Sequence, residues 1–73
     1  MRLFDSYPFL RQVIVNVKID RDTNRAFKGI LWRRRGGYLI LRQAIMLRGN
    51  EARTLDGEVL IATTDIDFIQ VLR

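Results

Sequence analysis

Gly57-Glu58-Val59-Leu60-Ile61-Ala62-Thr63-Thr64-Asp65-Ile66-Asp67-Phe68-Ile69 is an apolar strand interrupted by a short polar step and resumed at once. Two strands joined with almost no loop turn a corner in a bent sheet rather than doubling back as a hairpin. The stretch therefore predicts that Glu58 to Thr63 and Ile66 to Leu72 are the last two strands of a small, strongly bent β-structure. Upstream, Val13, Val15, Val17 and Ile19 alternate with Ile14, Asn16 and Lys18, a period of two over a β-branched run. Asp20 to Arg25 is polar and turn-rich.

A second strand is expected over Ala26 to Trp32, with Phe27, Gly29 and Leu31 on one face and Lys28, Ile30 and Trp32 on the other. Glycine inside a strand marks a bend or a close backbone approach. Arg33-Arg34-Arg35-Gly36-Gly37 then reads as a hairpin tip. The third strand runs from Tyr38 to about Leu47. Leu39 and Leu41 share a face, and Ala44 and Met46 resume the apolar phase one residue out of step. That slip predicts a β-bulge near Arg42 and Gln43. The same segment is rich in helix formers, so a helix over Leu39 to Leu47 is the competing reading. Arg48 to Asp56 is expected to be a polar loop. Pro8 limits the start of the chain to a short helical turn at most, with Phe4, Tyr7 and Phe9 available to cap an open end. The expected fold is all-β: a five-stranded, strongly bent antiparallel sheet forming a small SH3-like or OB-like open barrel, with any N-terminal helix short or absent. One domain is expected, with residues 1–10 as an extension and 11–72 as the barrel.

At 73 residues, a single core buries only about 60% of the unfolded surface. Chains of this size often gain stability from disulfides, metals or association. The sequence has no Cys and no His, which removes disulfides and the usual zinc ligand sets. No metal or cofactor is expected, and association remains. Met1-Arg2-Leu3-Phe4 leads directly into Asp5, and no apolar run approaches the ~20 residues of a membrane span. The expectation is a cytoplasmic chain without a leader and without a membrane partner. The net charge of +5 comes from thirteen basic residues, eleven of them Arg. An arginine-dominated excess favours phosphate or carboxylate partners.

These residues resemble the Sm and Sm-like family. Its first block is an alternating strand, a polar turn, G-x-L, a loop, and a strand of the form N-L-x-L followed by a small residue. Here it falls on Val13 to Ile19, Gly29-Ile30-Leu31, Tyr38-Leu39-Ile40-Leu41 and Ala44. The second block, G-x-x-x-I-R-G-x-x-I-x-x-I, falls on Gly57, Ile61, Ala62, Thr63, Ile66 and Ile69. The resemblance spans residues 11–72 and is similar above all to small Sm-like proteins encoded by tailed bacteriophages. That would place the chain in the cytoplasm of a bacterial host. It implies a ring of about five to seven identical copies, closed by pairing of the fourth strand with the fifth strand of a neighbour. Leu60, Ile61, Ile66, Phe68, Ile69 and Leu72 are the expected interface residues.

The resemblance also implies RNA held by an Asp and an Asn flanking the loop between strands two and three, and by the Arg-Gly of the second block. This sequence departs at those positions. Tyr38 stands in place of the Asn, no Asp lies between Trp32 and Tyr38, and Ala62-Thr63 replaces Arg-Gly. The loop is one residue short, and the His-containing block of the bacterial host-factor branch is missing. In place of the uridine pocket stands Trp32-Arg33-Arg34-Arg35-Gly36-Gly37-Tyr38. Aromatic rings stack bases and guanidinium groups take phosphates, so Trp32, Arg33, Arg34, Arg35 and Tyr38 are the candidate single-stranded RNA site. The competing readings are a solvated hairpin tip with Trp32 packed into the framework, and a docking point for an acidic protein in a structural or adaptor ring. An enzyme is not expected: Ser6 is the only serine and the acids are scattered. Asp65 and Asp67, two apart at a strand start, are expected on one face as a solvated pair or as partners for a neighbour's arginines.

Overall fold

The computed structural model describes residues 7–18 and 25–72. Six strands follow in chain order: β1 (Gln12–Val17), β2 (Arg25–Arg35), β3 (Tyr38–Arg48), β4 (Glu51–Thr54), β5 (Glu58–Ala62) and β6 (Ile66–Val71). The helical structure among the described residues is one 3₁₀ turn, Thr63–Asp65, so the protein is all-β. The strands form one antiparallel sheet in the order β4-β3-β2-β1-β6, with β5 attached to β3.

β3 organises this sheet. One of its edges pairs with β2 along its length. The other holds two partners in succession, β5 against residues 38–42 and β4 against residues 45–48. A strand changes partners in this way where it bends. The bend falls at Gln43, which takes a positive φ of 52°. There β3 carries one more residue than β2 between the pairs Lys28–Ile45 and Ile30–Arg42. This is the bulge that the phase slip between Leu41 and Ala44 predicts. Gly29 lies across from it. A Cβ at Gly29 would sit 2.9 Å from the Arg42 carbonyl oxygen and 3.2 Å from the Ala44 Cα, both backbone atoms. The bend therefore needs glycine at that position.

A second bulge, absent from the sequence reading, lies on β2. Between the pairs Leu31–Leu41 and Arg33–Ile40, β2 has the extra residue, Trp32. The two bulges cancel, and the hairpin recovers its initial register. Its tip is the two-residue turn Gly36-Gly37, with Gly36 at φ 59°. Arg33, Arg34 and Arg35 are consequently strand residues rather than loop residues.

The corner read from Gly57 to Ile69 is present. The Thr63 N–H donates to the Gly37 carbonyl at 2.8 Å, prolonging the β5–β3 ladder. The Lys18 N–H donates to the Asp65 carbonyl at 2.7 Å, prolonging β6–β1. The 3₁₀ turn thus passes the chain from β3's edge to β1's edge with no intervening loop. Among the described residues no ladder joins β5 to β6, and the sheet is bent without closing into a barrel.

The core cluster is Val13, Val15, Leu31, Leu39, Leu41, Ala44 and Ile61. Tyr7, Val17, Phe27, Leu55, Val59, Ile66 and Ile69 pack around it. Burying each large aliphatic side chain contributes roughly 1.5–3 kcal/mol. Among the described residues no polar side chain is buried.

Six strands replace the expected five, because the expected loop Arg48 to Asp56 contains β4. All four β4 residues are exposed, so no apolar alternation announces the strand. Leu39 to Leu47 is strand, not helix. β1 ends at Val17, and Ile19, residues 20–24 and Phe4 lie outside the described residues. Asp65 ends the 3₁₀ turn, and Asp67 is the extra residue where the β1–β6 register shifts. Strand alternation therefore does not put them on one face.

Candidate nucleic-acid interface

Directly paired residues in an antiparallel ladder share a face of the sheet. Leu39 and Leu41 are core residues, so their partners Arg34 and Leu31 lie on the core side. Tyr38, Ile40 and Arg42 alternate with them onto the outer side. Their partners there are Arg35, Arg33 and Ile30 on β2, and Ala62, Leu60 and Glu58 on β5.

The bulge at Trp32 decides this arrangement. Simple alternation from Leu31 would send Trp32 and Arg34 outward and Arg33 and Arg35 inward. One extra residue reverses the parity of everything after it, so Arg33 and Arg35 face outward and Arg34 inward. Arg34 is engaged on that inner side. Its guanidinium lies 5.9 Å from the Tyr7 ring centroid, and its Nε donates to the Gly36 carbonyl at 3.2 Å. All three arginines are exposed, but among the described residues Arg33 and Arg35 have no ion-pair or hydrogen-bond partner for their side chains. Tyr38, paired with Arg35, is 48% exposed.

Trp32 is half-buried and its ring is covered. The Arg42 guanidinium stacks 3.8 Å from the ring centroid, close enough for a cation–π contact. Arg42 is held there by Glu58, whose Oε2 accepts from Nε at 3.0 Å and forms an ion pair with Nη2, also at 3.0 Å. This three-residue stack across β2, β3 and β5 went unseen in the sequence, because it depends on register. The one local hint was Leu39-Ile40-Leu41, three consecutive apolar residues that imply cover on both faces. Ile40 is only 4% exposed yet stands apart from the core cluster. It forms an apolar floor on the outer face.

The expected interface residues separate in a similar way. Ile61 is 5% exposed and belongs to the chain's own core. Ile66 and Ile69 pack against that core, and Leu72 is half-buried. Leu60 and Phe68 are the exposed pair, at 54% and 52%. Leu60 lies on the outer face of β5. Phe68 pairs with Asn16, which alternates with core Val15, and so lies on the outer face of β6.

Among the described residues no group of three or more His, Cys, Asp or Glu is placed to hold a metal ion. No described helix is long and apolar enough to cross a membrane. No protein-family model matches this chain, and no curated protein matches it. The class that fold and surface define is a small all-β protein with open strand edges and a basic hairpin.

Proposed function

We propose that this chain is a non-catalytic, Sm-like protein that assembles edge to edge into a homo-oligomeric ring and binds single-stranded RNA through its arginine hairpin. The observation that carries the reading is the β2–β3 hairpin itself, with Arg33 and Arg35, which have no side-chain partner among the described residues, beside the exposed ring of Tyr38. Guanidinium groups and an aromatic ring at adjacent register positions are the pair of chemistries that a nucleic-acid strand engages.

The ring rests on the edges. Among the described residues β5 is paired only to β3, and β6 only to β1. Unpaired strand edges bearing apolar side chains invite pairing with another chain. Antiparallel pairing of β5 with a neighbour's β6 would satisfy both edges and set Leu60 and Phe68 on one continuous outer face. In a ring the unpartnered arginines are multiplied by the number of copies, and a bound polyanion offsets their repulsion.

The test is fluorescence anisotropy of a labelled single-stranded RNA oligonucleotide against the purified chain at several salt concentrations. Binding that weakens linearly in log–log form with salt is expected. No binding at about 50 mM salt, where phosphate contacts are strong, would remove RNA as the ligand. Recovery of a specific acidic protein in its place would make the chain a structural or adaptor ring.

A further inference from the structure

We propose that the nucleic-acid site is confined to the outer face of the β2–β3 hairpin, where Arg33 and Arg35 take phosphates and Tyr38 stacks a base. Arg34 is excluded from it, although it sits between them in sequence. This rests on the reading above that the chain binds a single strand, and it names which side chains do so.

Parity is the first argument. The extra residue at Trp32 places Arg33 opposite Ile40 and Arg35 opposite Tyr38 on the outer face, and Arg34 opposite core residue Leu39. Availability is the second. Arg34 already lies over Tyr7 and bonds the Gly36 carbonyl, whereas Arg33 and Arg35 have no described partner. A guanidinium without a carboxylate beside it presents its whole donor set to a phosphate.

Charge and shape choose the occupant. No acidic residue occupies the outer-face registers from Tyr38 to Ile40 or their partners Arg33, Arg35, Leu60 and Ala62. The apolar floor of Ile40 and the exposed Leu60 adjoin Tyr38, so an aromatic base can lie flat with its phosphates toward the two arginines. The far end of the face closes where Glu58 neutralises Arg42 and Arg42 covers Trp32. Trp32 is therefore a framework residue that fixes the bulge, and Tyr38 is the stacking ring. An acidic peptide would find the same charges but make no use of a flat exposed ring.

Variants of the whole chain measured by RNA anisotropy provide the test, with light scattering confirming unchanged assembly. Arg33→Ala together with Arg35→Ala should weaken binding by about tenfold or more per arginine. It should also reduce the magnitude of the salt slope by about 1.4, at about 0.7 per phosphate contact on a single strand. Tyr38→Ala should cost about tenfold while Tyr38→Phe binds as the parent does. Arg34→Lys, which keeps the inner charge, and Arg34→Ala should each stay within about twofold, well below the ~1.4 kcal/mol that a tenfold change represents. Binding that survives the double variant and falls with Arg34→Ala overturns the face assignment. Failure of the parent chain to bind any single strand overturns the underlying function instead. Displacement of RNA by poly-glutamate at equal charge concentration, with no loss from Tyr38→Ala, overturns the nucleic-acid occupant in favour of an acidic protein.

Discussion

β4 and β5 share one edge of β3, each with its outer side unpaired among the described strands, yet they differ in what they offer a partner. β4 is four residues long, with Glu51, Ala52, Arg53 and Thr54 all exposed. Short, charged edges of that kind discourage further pairing. β5 follows Glu58 with the uncharged run Val59, Leu60, Ile61 and Ala62, and no described strand covers its far edge. β6, at the opposite end of the sheet path, resembles β5, with Phe68 and Val71 exposed. The difference teaches that the two ends of β3 present unlike edges: a short, charged one at β4 and, on the proposed reading, one at β5 that a second copy continues. The bend at Gln43 is what separates them.

The sharpest way to break this contrast is to charge one edge and then the other. Phe68→Asp should reduce the oligomer to monomer in light scattering, because the charge would lie in the paired interface. Ala52→Asp, on the blunted edge, should leave the mass unchanged. Equal effects at both positions would erase the distinction between the edges.

The next largest effect concerns the strand they share. Leu41→Ala removes a fully buried core side chain and should cost about 2–5 kcal/mol in urea denaturation. Ile40→Ala, under the outer face, should cost less, because the side chains above it can settle into the space.

The bend itself is tested from both sides. Gly29→Ala puts a Cβ against two backbone atoms and should destabilise by about 1–3 kcal/mol. Gln43→Val places a β-branched residue at positive φ and should cost about 1–2 kcal/mol, while Gln43→Gly should be neutral or slightly stabilising. The smallest effect is at the outer stack. Glu58→Gln should change stability by less than about 1 kcal/mol, since the ion pair is exposed. It should nonetheless alter the fluorescence of Trp32, the only tryptophan in the chain, by loosening the guanidinium that covers it.

Much of this fold was legible in the sequence, for reasons that attach to particular residues. The slip of apolar phase between Leu41 and Ala44 marks the β3 bulge, because core-facing side chains must keep facing the core on both sides of the extra residue. Gly29 marks the close approach opposite it. The polar step at Thr63 to Asp65 marks the corner, because apolar runs on both sides leave no room for a loop. β4 was not legible, since backbone pairing alone forms it and its side chains bury nothing. Neither was the parity of the three arginines. They have no apolar residue among them to report a face, and the bulge that sets it sits at Trp32, whose exposed-side cover comes from Arg42, ten positions on in sequence.

The central claim is that β5 and β6 are unfinished edges which identical chains complete. Native mass spectrometry of the purified chain across micromolar concentrations measures this directly. The account predicts a single closed species of about five to seven copies with no ladder of open intermediates, as expected for heterologous contacts that close. A monomer that persists at every concentration would contradict it.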